Sequence, residues 1–159
     1  MSEKETVLVT GGAGYIGSHT VKQLLKRNYE VVVFDNLVSG HEEFVLAEQF
    51  VEGDVGDREL LDETFRRYEP EAVMHFAAHC RVGESVRDPA KYYENNVVKG
   101  LRLLEAVRDL GIDKFIFSSS AAIYGDPEEV PIKEEAPKEP ENPYGRTKLT
   151  YERILEDYS

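Results

Sequence analysis

Three residues in the last third of the chain have the types and spacing for proton transfer. Tyr144 and Lys148 stand four apart in Tyr144-Gly145-Arg146-Thr147-Lys148, so on a helix both side chains share one face. A phenol, with a reference pKa of about 10, is a weak base at neutrality, and an ammonium beside it favours the phenolate. Such a phenolate can take a proton from a substrate hydroxyl while hydride leaves the same carbon. Ser120, the last of Ser118-Ser119-Ser120, can hydrogen-bond the reacting oxygen. A tyrosine and a lysine four apart also occur on many helices that do no chemistry.

Hydride needs an acceptor, and the opposite end of the chain offers a place for one. Gly11-Gly12-Ala13-Gly14-Tyr15-Ile16-Gly17 follows a β-branched run and precedes a helical pattern. In that context Gly11 permits a sharp turn, Gly14 lets backbone approach a pyrophosphate, and Gly17 allows helix and strand to pack closely. Asp35 ends the second apolar run, where a carboxylate can accept hydrogen bonds from an adenosine ribose and repel a 2′-phosphate. NAD is therefore expected over NADP. A glycine-rich turn alone, or a solvated strand-end carboxylate, would look the same. Asp54, in Gly53-Asp54-Val55, is within reach of an adenine, although an Asp in a turn is commonplace.

The elements that must position these groups alternate along the chain. Thr6 to Thr10, Glu30 to Asp35, Gln49 to Val51, Ala72 to Phe76 and Lys114 to Ser118 read as buried strands. Between them lie helical patterns. The first starts at Tyr15, with Ile16, Thr20, Val21, Leu24 and Leu25 on its inner face; the second runs from Arg58 to Tyr68. A third begins at Pro89, with Val97, Leu101, Leu104 and Val107 inward and Gly111 as its cap. Strand and helix in alternation predict an α/β fold with a doubly wound parallel sheet. Residues 126–143 hold five of the seven prolines and seven acidic residues, which predicts a long surface loop before a last helix from Tyr144.

Composition narrows the functions available. The net charge of −12, from 19 Lys and Arg against 31 Asp and Glu, argues against a nucleic-acid partner. No apolar run is long enough to span a membrane, and the first residues resemble no targeting segment, so a cytoplasmic location is expected. Cys80 is alone and the four histidines lack metal-site spacing, so no metal is expected. His19 reads as a helix-surface residue. His79 and Cys80 follow the fourth strand without a partner that would make either reactive. Asn95 either touches a ribose or braces backbone.

Taken in order, Thr10 to His19 (TGGAGYIGSH), Asp35-Asn36-Leu37, Gly53-Asp54-Val55, Val82-Gly83-Glu84-Ser85, Tyr93 to Val97 (YENNV), Phe117 to Gly125 (FSSSAAIYG) and Pro143 to Lys148 (PYGRTK) resemble the extended short-chain dehydrogenase/reductases, and within them the UDP-glucose 4-epimerases. The glycine loop and the Tyr-x-x-x-Lys pair are common to the superfamily; FSSSAAIYG together with VGES is far more specific. The resemblance covers nearly the whole chain but only the front portion of a family member. It implies a Rossmann-like doubly wound sheet truncated after about five strands, with residues 1–159 forming an incomplete NAD-binding domain and the substrate-binding portion absent.

The resemblance also implies roles. Gly11, Gly14, Tyr15, Ile16 and Gly17 would form the pyrophosphate site, Asp35 and Asn36 would meet the adenosine ribose, and Asp54 and Val55 would flank the adenine. Phe76, Ala77, Ala78 and Asn95 would lie along the cofactor, with Ser120, Tyr144 and Lys148 as the catalytic trio and Lys148 also on the nicotinamide ribose. The reaction implied is epimerisation at C4 of a UDP-hexose through a transient 4-keto sugar, in a homodimeric full-length enzyme. Dehydratases of the same superfamily carry an acidic pair where Ala121 and Ala122 stand, which favours epimerisation. Some relatives have a lysine in place of Cys80, so one charge contact is lacking. Another nucleotide-sugar enzyme, a decarboxylase or dehydratase, is the alternative, as is a noncatalytic dinucleotide-binding fragment.

Overall fold

The computed structural model describes residues 4–159. Five parallel strands form one sheet in the order β3-β2-β1-β4-β5: β1 (Thr6–Thr10), β2 (Glu30–Asp35), β3 (Gln49–Glu52), β4 (Ala72–His75) and β5 (Lys114–Phe117). The alternating strands and helices of the sequence are the reason. Val7, Leu8, Val9 and Val31 to Phe34 are apolar on both sides of their strands, and a strand buried on both faces needs helices above and below. The order, with the chain reversing direction across the sheet after β3, is that of a Rossmann-like doubly wound sheet.

The chain divides into two compact units. The first comprises the chain through Ala77 together with Arg102–Ser118; the second comprises Ala78–Leu101 and Ser119–Ser159. In the first unit, α1 (Tyr15–Lys26) packs on one face of the sheet, placing Val21 among Val7, Val9, Val31 and Val33. On the other face, α2 (Arg58–Tyr68) brings Leu61 and Phe65, and the later part of α5 (Lys99–Asp109) brings Leu103, Ala106 and Val107, against Leu8, Val32, Phe34 and Val73. Each large apolar side chain so enclosed contributes about 1.5–3 kcal/mol. Asp57 caps α2 through Leu60 N–H, and Gly111, at φ +69°, ends the run of α5 as its sequence position suggests.

Two expected faces need correction. On α1 the inward positions are Gly17, Ser18 and Val21, while Ile16 and Leu25 are exposed. Gly17 has to face the glycine loop, and that requirement rotates Ile16 outward. The helical run beginning at Pro89 is α4 (Pro89–Tyr93), then a π turn (Glu94–Val98), then α5. The wider turn shifts the inner face, so Tyr92, Asn96 and Gly100 are buried and Val97 and Leu101 only half-buried.

The second unit holds α3 (Val82–Arg87), which hydrophobic periodicity does not reveal, besides α4, the π turn, a 3₁₀ turn (Ala121–Tyr124) and α6 (Pro143–Tyr158). Residues 126–142 form a long loop as expected. Its neck is tight: Gly125 has φ +63°, and a Cβ there would collide with the Glu139 carbonyl. Among the described residues no helix is long and apolar enough to cross a membrane.

Gly17 and Gly83 test these packing arguments in opposite directions. A Cβ on Gly17 would run into the Gly11 carbonyl, which is backbone and cannot turn aside, whereas a Cβ on Gly83 meets nothing within 4 Å. Urea denaturation should show Gly17→Ala less stable by about 1–3 kcal/mol. Gly83→Ala, inside α3, should be more stable by roughly 0.5–1 kcal/mol.

Candidate active site

In the first unit the glycine loop is held first by backbone contacts. Gly11 N–H donates to Phe34 O at 2.8 Å, and Gly14 N–H donates to Gly11 O at 3.1 Å. Gly11 has φ +73°, and a Cβ on it would stand 2.5 Å from Ala77 N, so the loop passes directly over the end of β4. Gly14 differs from Gly11 and Gly17. A Cβ there would meet only Gly11 O, at 3.3 Å, and would otherwise occupy open space at the start of α1. Gly14 is the N-cap of α1 and brings no side-chain acceptor, and the first turn holds no acidic residue. The opening N–H groups of a helix lack intrahelical partners, so this turn suits an anion.

Asp35 is 7% exposed and braces the loop: Oδ2 accepts from Ala13 N–H at 3.0 Å and Oδ1 from Leu37 N–H at 2.9 Å. Each oxygen keeps a further lone pair for a hydroxyl donor. Asn36 donates from Nδ2 to Asp54 Oδ2 at 3.1 Å, and Asp54 Oδ1 accepts from Gly56 N–H at 2.8 Å. Asp35, Asn36, Asp54 and buried Val55 thus gather at the carboxyl ends of β2 and β3. Phe76 and Ala77 extend β4 beyond its last paired residue. His19 is exposed and lies edge-on to Tyr15, consistent with a surface residue.

The second unit contains Ser120, Tyr144 and Lys148 together, with Ala78 and Asn95. Lys148 is only 4% exposed, and its ammonium sits 6.0 Å from the centre of the Tyr144 ring. Burial pushes this ammonium down to about 8, against a smaller opposing effect of Cys80. Ser120 opens the 3₁₀ turn, its Oγ accepting from Ala122 N–H at 3.2 Å. Gly145 lies so close to that turn that a Cβ would stand 2.5 Å from Ala122 O. The glycine after Tyr144 therefore brings the first turn of α6 against the turn that carries Ser120. Ser119 Oγ is shut away from solvent with no partner.

Several residues that hold this arrangement escape a reading by motif chemistry. Asn96, 3% exposed, accepts at Oδ1 from His79 N–H (2.8 Å) and from Asn95 Nδ2 (3.0 Å). Its Nδ2 donates to His79 O (3.0 Å) and Thr147 Oγ1 (3.2 Å). Thr147 Oγ1 in turn donates to Tyr144 O at 2.7 Å. Tyr92 is fully buried. Its hydroxyl accepts from Arg81 N–H at 3.0 Å, and its single proton has Arg81 O and Glu84 Oε2 both at 2.8 Å. Contacts with Lys91 and then Tyr92 hold the Glu84 carboxyl down to about 2, while burial and Glu84 push the Tyr92 phenol up to about 12. The four-residue spacing of Tyr92, Asn96 and Gly100 was the available signal for this inner face. Asn95 is half-buried and donates from Nδ2 to Asn96 Oδ1 at 3.0 Å. Cys80 is exposed, and the His79 ring leans on Tyr92 at 5.6 Å.

Known proteins share this sequence and fold. Residues 7–159 match the model of the NAD dependent epimerase/dehydratase family. A UDP-glucose 4-epimerase of Rhizobium meliloti (strain 1021) is 53% identical over 156 residues, which is 98% of this chain and 48% of that protein. The crystal structure of UDP-glucose 4-epimerase from Brucella ovis in complex with NAD superposes with a TM-score of 0.94 at 54% identity, over 97% of this chain and 47% of that one. The UDP-Glc/GlcNAc 4-epimerase of Campylobacter jejuni gives 0.91 at 43% identity, over 96% and 48%. The chain spans about half the length of these relatives. On its fold, its glycine loop and the match across residues 7–159, the chain belongs to the NAD dependent epimerase/dehydratase family.

Proposed function

We propose that residues 1–159 are the NAD-binding part of an enzyme that epimerises C4 of a UDP-hexose, UDP-glucose and UDP-galactose being the pair. The observation that carries this reading is the Lys148 ammonium, almost wholly buried and 6.0 Å from the Tyr144 ring, in the unit that also holds Ser120. The similarity to UDP-glucose 4-epimerases supports the same reaction class.

The residues present fit a dinucleotide. Gly14 leaves room where a side chain would stand, and the uncapped first turn of α1, with Tyr15, Ile16 and Gly17, would take the pyrophosphate. Asp35 and Asn36 would bind the adenosine ribose, and Asp54 and Val55 would flank the adenine. Phe76, Ala77, Ala78 and Asn95 would line the cofactor, and Tyr144 and Lys148 its nicotinamide ribose. NAD, when bound, supplies the hydride acceptor and donor for the sugar carbon. The rest belongs to this chain. Tyr144, with the Lys148 charge beside it, takes the proton of the C4 hydroxyl and returns it after the sugar has presented its other face. Ser120 holds the same oxygen by a hydrogen bond. Ala121 and Ala122 offer no acid or base for elimination at the neighbouring carbon, which separates this site from a dehydratase.

The half-length match also suggests that the chain alone binds NAD without turning over sugar nucleotide. Contacts to the uridine diphosphate would come from residues outside 1–159, and a sugar that is not oriented loses rate as well as affinity. The intact enzyme is proposed to be a cytoplasmic homodimer.

Three outcomes test this. The 159-residue chain with NAD should leave UDP-galactose unchanged by product chromatography. Joined to the remaining half of the Rhizobium meliloti relative, it should convert UDP-galactose to UDP-glucose, and Tyr144→Phe should abolish that conversion. Turnover by the short chain overturns the need for the remaining half, a joined protein that leaves UDP-galactose unchanged overturns the epimerase reading, and turnover by the Tyr144→Phe protein overturns Tyr144 as the base. In calorimetry the chain should bind NAD more tightly than NADP, and Asp35→Asn should narrow the gap; equal affinities in the parent would remove Asp35 from the cofactor site. Finally, Lys148 binds its proton less well folded, at about 8, than unfolded, at 10.5. The unfolded chain holds more protons between those values, so stability rises with pH across that window and the full cost of burying the charge is present below it. Lys148→Met should therefore be more stable at neutral pH, by up to on the order of 3 kcal/mol in urea denaturation, an advantage that shrinks above pH ~8.

A further inference from the structure

We propose that Ser85, in the Val82-Gly83-Glu84-Ser85 motif, is the positioning residue that sets where the Tyr144 phenol stands. The proposal rests on Tyr144 being the catalytic base. Ser85 is completely buried, and its hydroxyl has two partners. It donates to Val82 O at 2.7 Å within α3 and accepts the backbone N–H of Tyr144 at 3.2 Å, across 59 positions of sequence.

That N–H is one of the opening donors of α6 that no helical carbonyl can satisfy. The usual remedy is the N-cap side chain, but Asn142 Oδ1 is committed to Gly145 N–H at 2.9 Å. A cap supplied by the helix's own flanking residue keeps the helix from fraying and says nothing about where the helix lies. A cap supplied by a different helix does both. Ser85 therefore ties the first turn of α6 to α3 at the residue that carries the phenol.

The anchor itself is held. Glu84, beside Ser85, accepts from Lys91 Nζ at 2.7 Å and from the Tyr92 hydroxyl at 2.8 Å, which fastens α3 to α4. Tyr92 in turn sets its ring edge-on to the Tyr144 ring, with centres 6.5 Å apart and planes at 82°. Tyr144 is thus gripped at its backbone by Ser85 and at its ring by Tyr92, and the VGES motif supplies the first grip and secures the second. On the other side Thr147 Oγ1 takes the Tyr144 carbonyl. A shift of the first turn is enlarged at the phenol oxygen, which lies at the far end of the side chain.

The test uses the joined protein described above together with the 159-residue chain. In the joined protein, Ser85→Ala should lower kcat about tenfold to a hundredfold while KM for UDP-galactose and NAD affinity stay as in the parent. Ser85→Cys, which keeps a weak acceptor in a similar volume, should lie between Ser85→Ala and the parent. In the chain alone, NMR hydrogen exchange of the Tyr144 amide should quicken in Ser85→Ala, with core amides such as Leu8 and Val32 unchanged. An unaltered Tyr144 amide, a parent-like kcat, or kcat and NAD affinity falling together would each overturn the proposal. Turnover by Tyr144→Phe would instead overturn the catalytic assignment, and the exchange result would still report whether Ser85 holds that amide.

Discussion

In the proposed site a lysine ammonium has to keep its charge where almost no water reaches it, and the second unit is arranged around that buried group. Lys148 is exposed by only 4%, and burial has already drawn its proton affinity down to about 8. Deeper burial would discharge it at neutrality; greater exposure would weaken its field at the Tyr144 ring. The group must therefore sit at one depth and stay there. Rigid surroundings do that, and α6 has them. Thr147, Lys148, Leu149 and Tyr151 are consecutive or nearly so and all buried, and the Tyr151 hydroxyl donates to Gly100 O at 2.8 Å. Because Gly100 has no side chain, the Tyr151 ring can lie directly against it; a Cβ would stand 2.6 Å from that ring.

The first unit solves a different problem with different means. In the proposed cofactor site a highly charged ligand would be met by groups that carry no net charge of their own, in a protein whose own balance is −12. The answer is backbone. Gly11, Gly14 and Gly17 leave the peptide groups bare, and the buried Asp35 carboxylate clamps the loop through Ala13 N–H. The clamp and the selectivity proposed for Asp35 would come from the same side chain, so changing that residue would alter both. Oriented peptide dipoles act at short range, which is why the overall acidity does not defeat them.

The sheet, and the nearness of Lys148 to the Tyr144 ring, were legible in the sequence for plain reasons. Runs such as Val31 to Phe34 are β-branched and apolar throughout, the helices carry a 3.6-residue period, and glycines mark the joints. Tyr144 and Lys148 announce themselves by spacing. What stayed hidden was polar and nonlocal. Asn96 is an amide inside an apolar face, and nothing local says that its partners are His79 and Thr147, 17 and 51 positions away. The six residues of α3 are too few to show a period, so nothing local in VGES marks it as a helix. Ile16 is apolar, but the close approach that Gly17 makes to the glycine loop turns it outward. In each case a tertiary contact overrode the local pattern.

The neck between Gly125 and Glu139 has a further consequence, for how this protein can change over generations. Closing the ring of chain between those two residues has its main cost once, at the neck, where the bare α-carbon of Gly125 fits against the Glu139 carbonyl. For a flexible segment that cost grows only with the logarithm of its length, about 0.6 kcal/mol for each doubling. Lys138, just inside the neck, is tied to Glu152 of α6 at 2.7 Å, so the return strand of the ring is moored independently of what it encloses. The enclosed residues are therefore free to lengthen, shorten or alter their charge while the helix that follows starts at the same place. Descendants of this sequence should vary there first, and should keep the glycine and the mooring when everything between has been rewritten.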